Sequence, residues 1–217
     1  MLKSLFPNIQ WEQIEVIGFD LDGTLYDELD FIIQVYRPIS KLLALNSKRY
    51  ENEAYNWIIY RWLEKGSSYP CIFDEFLTSH GVSEEIIRQE IIEKCLILYR
   101  EFRPVIYLDA RVRTLLDYFH GQFQLFIVTD GNFRLQMAKF KALGLARWFD
   151  LENVIVSGKF GINYQKPATL MAKEINVLRH HSVERVAYLG DREIDREFSA
   201  KLGFQFEKVH CLVGVGT

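Results

Sequence analysis

Glu15-Val16-Ile17-Gly18-Phe19-Asp20-Leu21-Asp22-Gly23-Thr24-Leu25 is the stretch that decides the fold. Its apolar, β-prone run predicts a strand over residues 15–20, which delivers two carboxylates to the strand's C-terminal edge before the chain turns at Gly23. Ligands of open α/β sheets bind in the crevice at such strand ends. Side chains alternate along a strand, so Asp20 and Asp22 are expected on one side of the chain. Carboxylates held that close repel, and at least one then needs a cation or a raised pKa. That requirement marks a site rather than a surface.

Outward from this stretch, the run Gln124-Leu125-Phe126-Ile127-Val128 closes on Thr129-Asp130-Gly131. Lys166-Pro167 follows Gly161 and opens a helical pattern. The strand-like Arg185-Val186-Ala187-Tyr188-Leu189 ends in Gly190-Asp191-Arg192-Glu193-Ile194-Asp195. With Asp20–Leu25, these segments resemble, in order, the four motifs of the haloacid dehalogenase-like superfamily, made up mostly of phosphatases. The resemblance spans about residues 14–213.

Between the first strand and the rest, the pattern is helical. Residues 29–45 place Phe31, Ile32, Val35, Ile39, Leu42 and Leu43 at helical spacing, with Pro38 expected to kink or end the first part. Further helices are predicted over 48–65, 71–79 and from Ser83, the expected N-cap, to about Arg100. Pro104 marks the return to the core. Helices near 109–120, 132–143, 168–178 and 192–202 then alternate with strands at 123–129, 153–157, 185–190 and 207–213. Alternation of this kind implies βαβ units and a parallel sheet covered on both faces. The fold class is therefore α/β: a doubly wound, Rossmann-like parallel sheet core of residues 1–27 and 104–217, with a small helical domain of residues 28–103 inserted after the first strand. The resemblance implies that this insertion is a cap closing over the active site.

Composition narrows the function. The 217 residues are 49% hydrophobic and 25% charged, ordinary for a globular protein. A net charge of −3 gives no electrostatic reason to expect nucleic acid. No apolar run is long enough to suggest a membrane span, and the N-terminus, interrupted by Pro7, does not read as a signal peptide. Cys71, Cys95 and Cys211 are an odd number without Cys-x-x-Cys spacing, which disfavours a disulfide framework or structural zinc. They are expected as buried free thiols in a reducing cytoplasm. His180-His181 reads as a solvated loop rather than a ligand pair.

The resemblance assigns chemistry residue by residue. It implies Asp20 as the nucleophile and Asp22 as the general acid and then base; an Asp at that second position separates phosphatases from dehalogenases in this family. Mg²⁺ is the implied cofactor, held by Asp20, the backbone carbonyl of Asp22 and Asp191, with Asp195 orienting metal-bound water or buttressing the site. Thr129 and the backbone of the Asp130-Gly131 turn are expected to bind phosphate oxygens, and Lys166 to neutralise the phosphoryl group. The bland alternatives are that Asp20 and Asp22 merely cap the next helix and that the fourth-motif acids pair with Arg192 or Arg196 on the surface. One departure stands out: the family usually has Asn where this chain has Asp130. Near a dianionic substrate that carboxylate must point away, be protonated or be paired.

For substrate choice, Tyr26, Asp27 and Glu28 are expected to gate access, and Gly66-Ser67-Ser68-Tyr69 reads equally as a specificity loop or an ordinary helix connection. Arg37, Lys41, Arg49 and Arg61 are candidate anion contacts or a solvated face. The stripe Tyr55, Trp57, Ile58, Ile59, Tyr60, Trp62 reads as cap core ahead of a base-stacking platform. The expected function is Mg²⁺-dependent hydrolysis of a small soluble phosphate monoester through an aspartyl-phosphate. The rivals are a phosphomutase, a phosphonate hydrolase using Lys41, Lys48 or Lys65 as a Schiff base, or an idle phosphate- or protein-binding module.

Overall fold

β1 (Val16–Phe19) has every side chain buried, as a strand in the middle of a parallel sheet requires. The computed structural model describes residues 1–214. β1 lies between β2 (Gln124–Thr129) and β4 (Val186–Gly190), with β3 (Val154–Val156) beyond β2, and β5 (Gln205–His210) and β6 (Val213–Gly214) beyond β4. All pairings are parallel except β5 with β6. The strand order reverses direction between β1 and β4, which places a topological switch point, the crevice where such sheets bind ligands, beside the C-terminal ends of those two strands.

Register explains Gly18. It sits opposite Phe126 and Tyr188, and a Cβ there would lie 2.1 Å from one ring and 2.7 Å from the other. The missing side chain is the space that two aromatic neighbours fill. On that face Phe126 and Tyr188 join Val16, Val128, Met171 and Phe198 in one buried cluster. On the other face Phe19 meets Phe119 and Phe149, with ring centroids 6.1 and 5.7 Å away. Each fully buried phenylalanine contributes about 1.5–3 kcal/mol, so both layers hold the sheet. The sheet is thus covered on both sides, a doubly wound α/β fold.

The helices are α1 (Leu2–Leu5), α2 (Glu28–Ser47), α3 (Glu51–Lys65), α4 (Ile72–Ser79), α5 (Glu85–Glu101), α6 (Ala110–His120), α7 (Phe133–Ala142) and α8 (Glu193–Leu202). The chain divides into two compact units, residues 1–28 with the chain from Val105 onward, and Leu29–Pro104. The second unit is all-helical. Its interior is joined by Phe31 against Tyr99, Tyr36 against Phe73 and Trp57 against Phe76.

Several local expectations are corrected. α2 runs unbroken through Pro38, because buried Phe31, Ile32 and Val35 before it and Ile39 and Leu43 after it form one continuous stripe. α5 is preceded by Glu84, not Ser83, at its N-cap; the Ser83 carbonyl instead accepts from Arg88. The helix expected over 168–178 is two 3₁₀ segments, Leu170–Glu174 and Asn176–His180, parted by an extended Ile175. A continuous α-helix would turn Val177 away from Met171 and Ile175. The break buries all three, and Asn153 accepts the Val177 N–H at 3.0 Å. The strand expected over 207–213 starts two residues early, at Gln205, and stops at His210, where the chain doubles back at Cys211-Leu212 into β6. Only Cys95 is buried; Cys71 is exposed and Cys211 half-buried. His181 faces Glu15 at 3.0 Å, a tie on the rim of the sheet. Of the α3 stripe, Ile58 is buried but Tyr60 is 63% exposed, so it is only partly interior. Arg61 is committed to Glu75 and Glu64, and Arg37 lies over the Tyr55 ring.

Candidate active site

β1 ends at Phe19, and with it the alternation that was expected to put Asp20 and Asp22 on one side. Asp20 still joins the ladder, its N–H donating to Leu189 at 3.0 Å, while the chain turns over the next residues at Gly23. Gly23 has φ +76°, and a Cβ there would meet Asp191 Oδ2 at 2.4 Å, so glycine is required both for the turn and for the approach of the fourth motif. Past the strand, the two carboxylates are served by different cations.

Asp20 is fully buried, with Oδ1 2.6 Å from Lys166 Nζ. Its Oδ2 has no hydrogen-bond partner among the described residues. Lys166 Nζ also reaches Asp195 Oδ1 at 2.5 Å and the Val128 carbonyl at 3.3 Å, with the Tyr188 hydroxyl at 3.4 Å. Burial pushes the Asp20 carboxyl up to about 8, Lys166 opposing and Asp195 reinforcing. Burial works against the Lys166 ammonium, but Asp20, Tyr188 and Asp195 outweigh it and hold its pKa well above the ordinary value.

Asp22 is held by three donors. Tyr26 and Lys139 reach Oδ1, Lys139 at 2.6 Å, and Gln136 Nε2 reaches Oδ2 at 2.7 Å. Burial raises its pKa, but the Lys139 charge and these hydrogen bonds more than offset that and leave it lowered. Tyr26, expected at a gate, is instead 2% exposed with its hydroxyl spent on Asp22.

From β2, Thr129 is buried and accepts from Gln136 at 3.1 Å. Asp130 is paired: both its oxygens take the Lys166 backbone N–H, at 3.2 Å each. Asp130 thus ties the second motif to the third. The Gly131 N–H, expected for phosphate, donates instead to Ser157 at 3.3 Å. From β4, Asp191 is pushed up to about 6 by burial, with Arg192 opposing and Asp195 adding like charge. Asp195 is fully buried rather than on the surface, its second oxygen accepting the Arg192 N–H at 3.1 Å.

Ligand atoms of Asp20, Asp191 and Asp195 all lie within 4.8 Å of one another. Asp20 Oδ2 and Asp191 Oδ1 are buried without hydrogen-bond partners among the described residues, the nearest cation to the latter being Arg192 Nε at 3.8 Å. Three carboxylates gathered at that spacing, two of them with an unsatisfied buried oxygen, fit a hard divalent cation such as Mg²⁺. The Asp22 carboxylate is outside this cluster, and both Asp195 oxygens are already engaged. Sequence reasoning missed Gln136, Lys139, Ser157 and Tyr188. Gln136 and Lys139 had a signal: they interrupt the apolar stripe of α7 at inward positions, beside Leu135 and Phe140.

A parallel sheet with two acids past the strand end at its switch point, a buried lysine against one of them and a threonine at the neighbouring strand end is an arrangement suited to a hydrolase. The model of the haloacid dehalogenase-like hydrolase family matches residues 17–209, and the chain is an enzyme of that family. No curated protein matches it. Among solved structures it is similar to a superfamily hydrolase of subfamily IA, variant 1, from Geobacter sulfurreducens, at 18% identity over 90% of this chain and 87% of that one, TM-score 0.67. YfnB from Bacillus subtilis, bound to magnesium, is similar at 21% identity over 89% and 85%, TM-score 0.61. A phosphatase of the superfamily from Thermococcus onnurineus is similar at 18% over 91% and 86%, TM-score 0.60. At these identities the likeness concerns the fold. No helix among the described residues is long and apolar enough to cross a membrane.

Proposed function

We propose that the protein is a Mg²⁺-dependent phosphomonoester hydrolase acting on a small soluble metabolite in a reducing cytoplasm. The observation that carries this reading is Asp20: one oxygen held by Lys166, the other buried and unpartnered among the described residues. In this reading an Asp20 carboxylate oxygen attacks phosphorus, the bond to the ester oxygen breaks, and the departing alkoxide takes a proton from Asp22. Asp22 must be protonated beforehand, against the pull of Lys139 and its other donors. Water then attacks the aspartyl-phosphate, giving its proton to Asp22, and the acyl–phosphate bond breaks to release inorganic phosphate and restore Asp20. Thr129 donates to a phosphoryl oxygen, and Lys166 balances negative charge on Asp20 and the phosphoryl group. Asp20, Asp191 and the Asp22 carbonyl would hold Mg²⁺, with Asp195 steadying Lys166 and the fourth-motif turn. When bound, the ion supplies positive charge that favours ionised Asp20 and neutralises phosphoryl oxygens. The helical unit, residues 29–104, is in this reading the substrate-selecting cap.

The test is phosphate release from a panel of sugar phosphates, nucleotides and other monoesters, with Mg²⁺ or with chelator. Metal-dependent release is expected, and Asp20→Asn should lower it by about 10⁴-fold or more. Comparable turnover by that variant in a contamination-free preparation would sink the assignment.

A further inference from the structure

α7 follows the second-motif turn, with Asn132 capping it by accepting the Leu135 N–H at 3.2 Å. Leu135, Gln136, Lys139 and Phe140 point inward. Two apolar residues there are what packing demands; Gln136 and Lys139, 3% and 2% exposed, are not. Burying an ammonium is costly unless it is paired. The pairing is with Asp22.

Tyr26, the other donor to Asp22, comes from the same turn four residues on and moves with it. Gln136 and Lys139 come from 114 and 117 residues away and anchor the carboxylate to a different element. Gln136 Nε2 also lies 3.1 Å from Thr129 Oγ1 and 2.6 Å from the Asp130 carbonyl. One side chain therefore links the acid/base candidate to the threonine proposed to bind phosphate. Donors on both oxygens restrict rotation of the Asp22 side chain, and a proton transfer needs such orientation.

We propose that Lys139, assisted by Gln136, is a positioning residue that sets the Asp22 carboxylate for proton transfer. This rests on the phosphatase reading above. Lys139 acts through Asp22 and need not touch the substrate.

Lys139→Met keeps a similar volume and removes the charge. With an alkyl phosphate, kcat should fall about 10²-fold while KM stays within about twofold. With p-nitrophenyl phosphate the leaving group departs without a proton. The burst of p-nitrophenolate that reports aspartyl-phosphate formation should then be slowed much less than aspartyl-phosphate formation from the alkyl ester, while hydrolysis of the intermediate is slowed for both. Lys139→Arg should recover part of kcat. Combined with Asp22→Asn, Lys139→Met should add little to the loss from Asp22→Asn alone. Full kcat in Lys139→Met, equal slowing of aspartyl-phosphate formation from both esters, or additive losses with Asp22→Asn would each overturn the proposal. A crystal structure of Lys139→Met decides it independently of activity: Asp22 is expected to change orientation while the Asp20–Lys166 pair stays. An unmoved Asp22 overturns it. Absence of phosphatase activity in the unaltered enzyme counts against the phosphatase reading, and the Asp22 orientation still decides the positioning.

Discussion

Asp20 in the α/β unit and Glu75 in the helical unit both stand 2.6 Å from a cation, Lys166 and Arg61, yet they titrate in opposite directions. Burial drives Asp20 up to about 8 in spite of Lys166. Hydrogen bonds from Arg61 and Tyr69 bring Glu75 down to about 2, with its side chain still 30% exposed. Distance to the cation does not decide the outcome. Sharing of the cation does not decide it either, since Glu64 shares Arg61 as Asp195 shares Lys166; what decides is how much solvation was lost. Asp22 shows the remaining case: buried, though less completely than Asp20, and supplied with its own lysine and two further donors, it stays lowered. The proposed function uses that difference: a cation taken up at the acid short of positive charge, and the well-supplied acid held in place.

The comparison breaks most visibly at Lys166. Lys166→Met leaves Asp20 and Asp195 buried without their shared cation and is expected to destabilise the fold by about 3–5 kcal/mol in denaturant unfolding. Its kcat should fall about 10²–10³-fold. Stability near that of the unaltered protein would mean that Lys166 is not the cation on which the buried cluster depends.

Metal sharpens the same contrast. The unfolded chain ionises its aspartates near 3.8, whereas folded Asp20 and Asp191 hold their protons to about 8 and about 6. Between those limits the folded state binds more protons, so this cluster's contribution to metal-free stability falls as pH rises. Mg²⁺ should therefore raise Tm by more at pH 8 than at pH 5, and chelator should reverse the gain. A pH-independent increment would count against Asp20 and Asp191 as the ligands.

The smallest effect belongs to the helical unit. Glu75 contributes stability above the unfolded value of 4.5, lost as pH falls through about 2. Because the pair is partly solvated, Glu75→Gln should shift Tm at neutral pH by only a few degrees at most. A drop as large as that of Lys166→Met would show that solvent does not distinguish the two pairs.

Much of this was legible in the sequence for local reasons. The apolar run ending at Phe19, the glycine at position 23, and the strand patterns before Thr129 and Gly190 each rest on neighbouring residues, and all three strands form where the pattern placed them. The helix through Pro38 and the broken segment around Ile175 were misread because packing overrode local preference in both. Tyr26 was misread as a gate because exposure is not a local property.

By itself, then, the sequence determined the alternating α/β order, the inserted helical unit and which carboxylates lie at strand ends, since turns and periodicity act over a few residues. Only the tertiary structure decided what those carboxylates do. It gave Asp20 a lysine from 146 residues away and Asp22 another from 117, and turned Asp130 onto the Lys166 backbone. Charge balance in a buried site depends on distance and lost solvent, and neither is written in the order of residues along a chain.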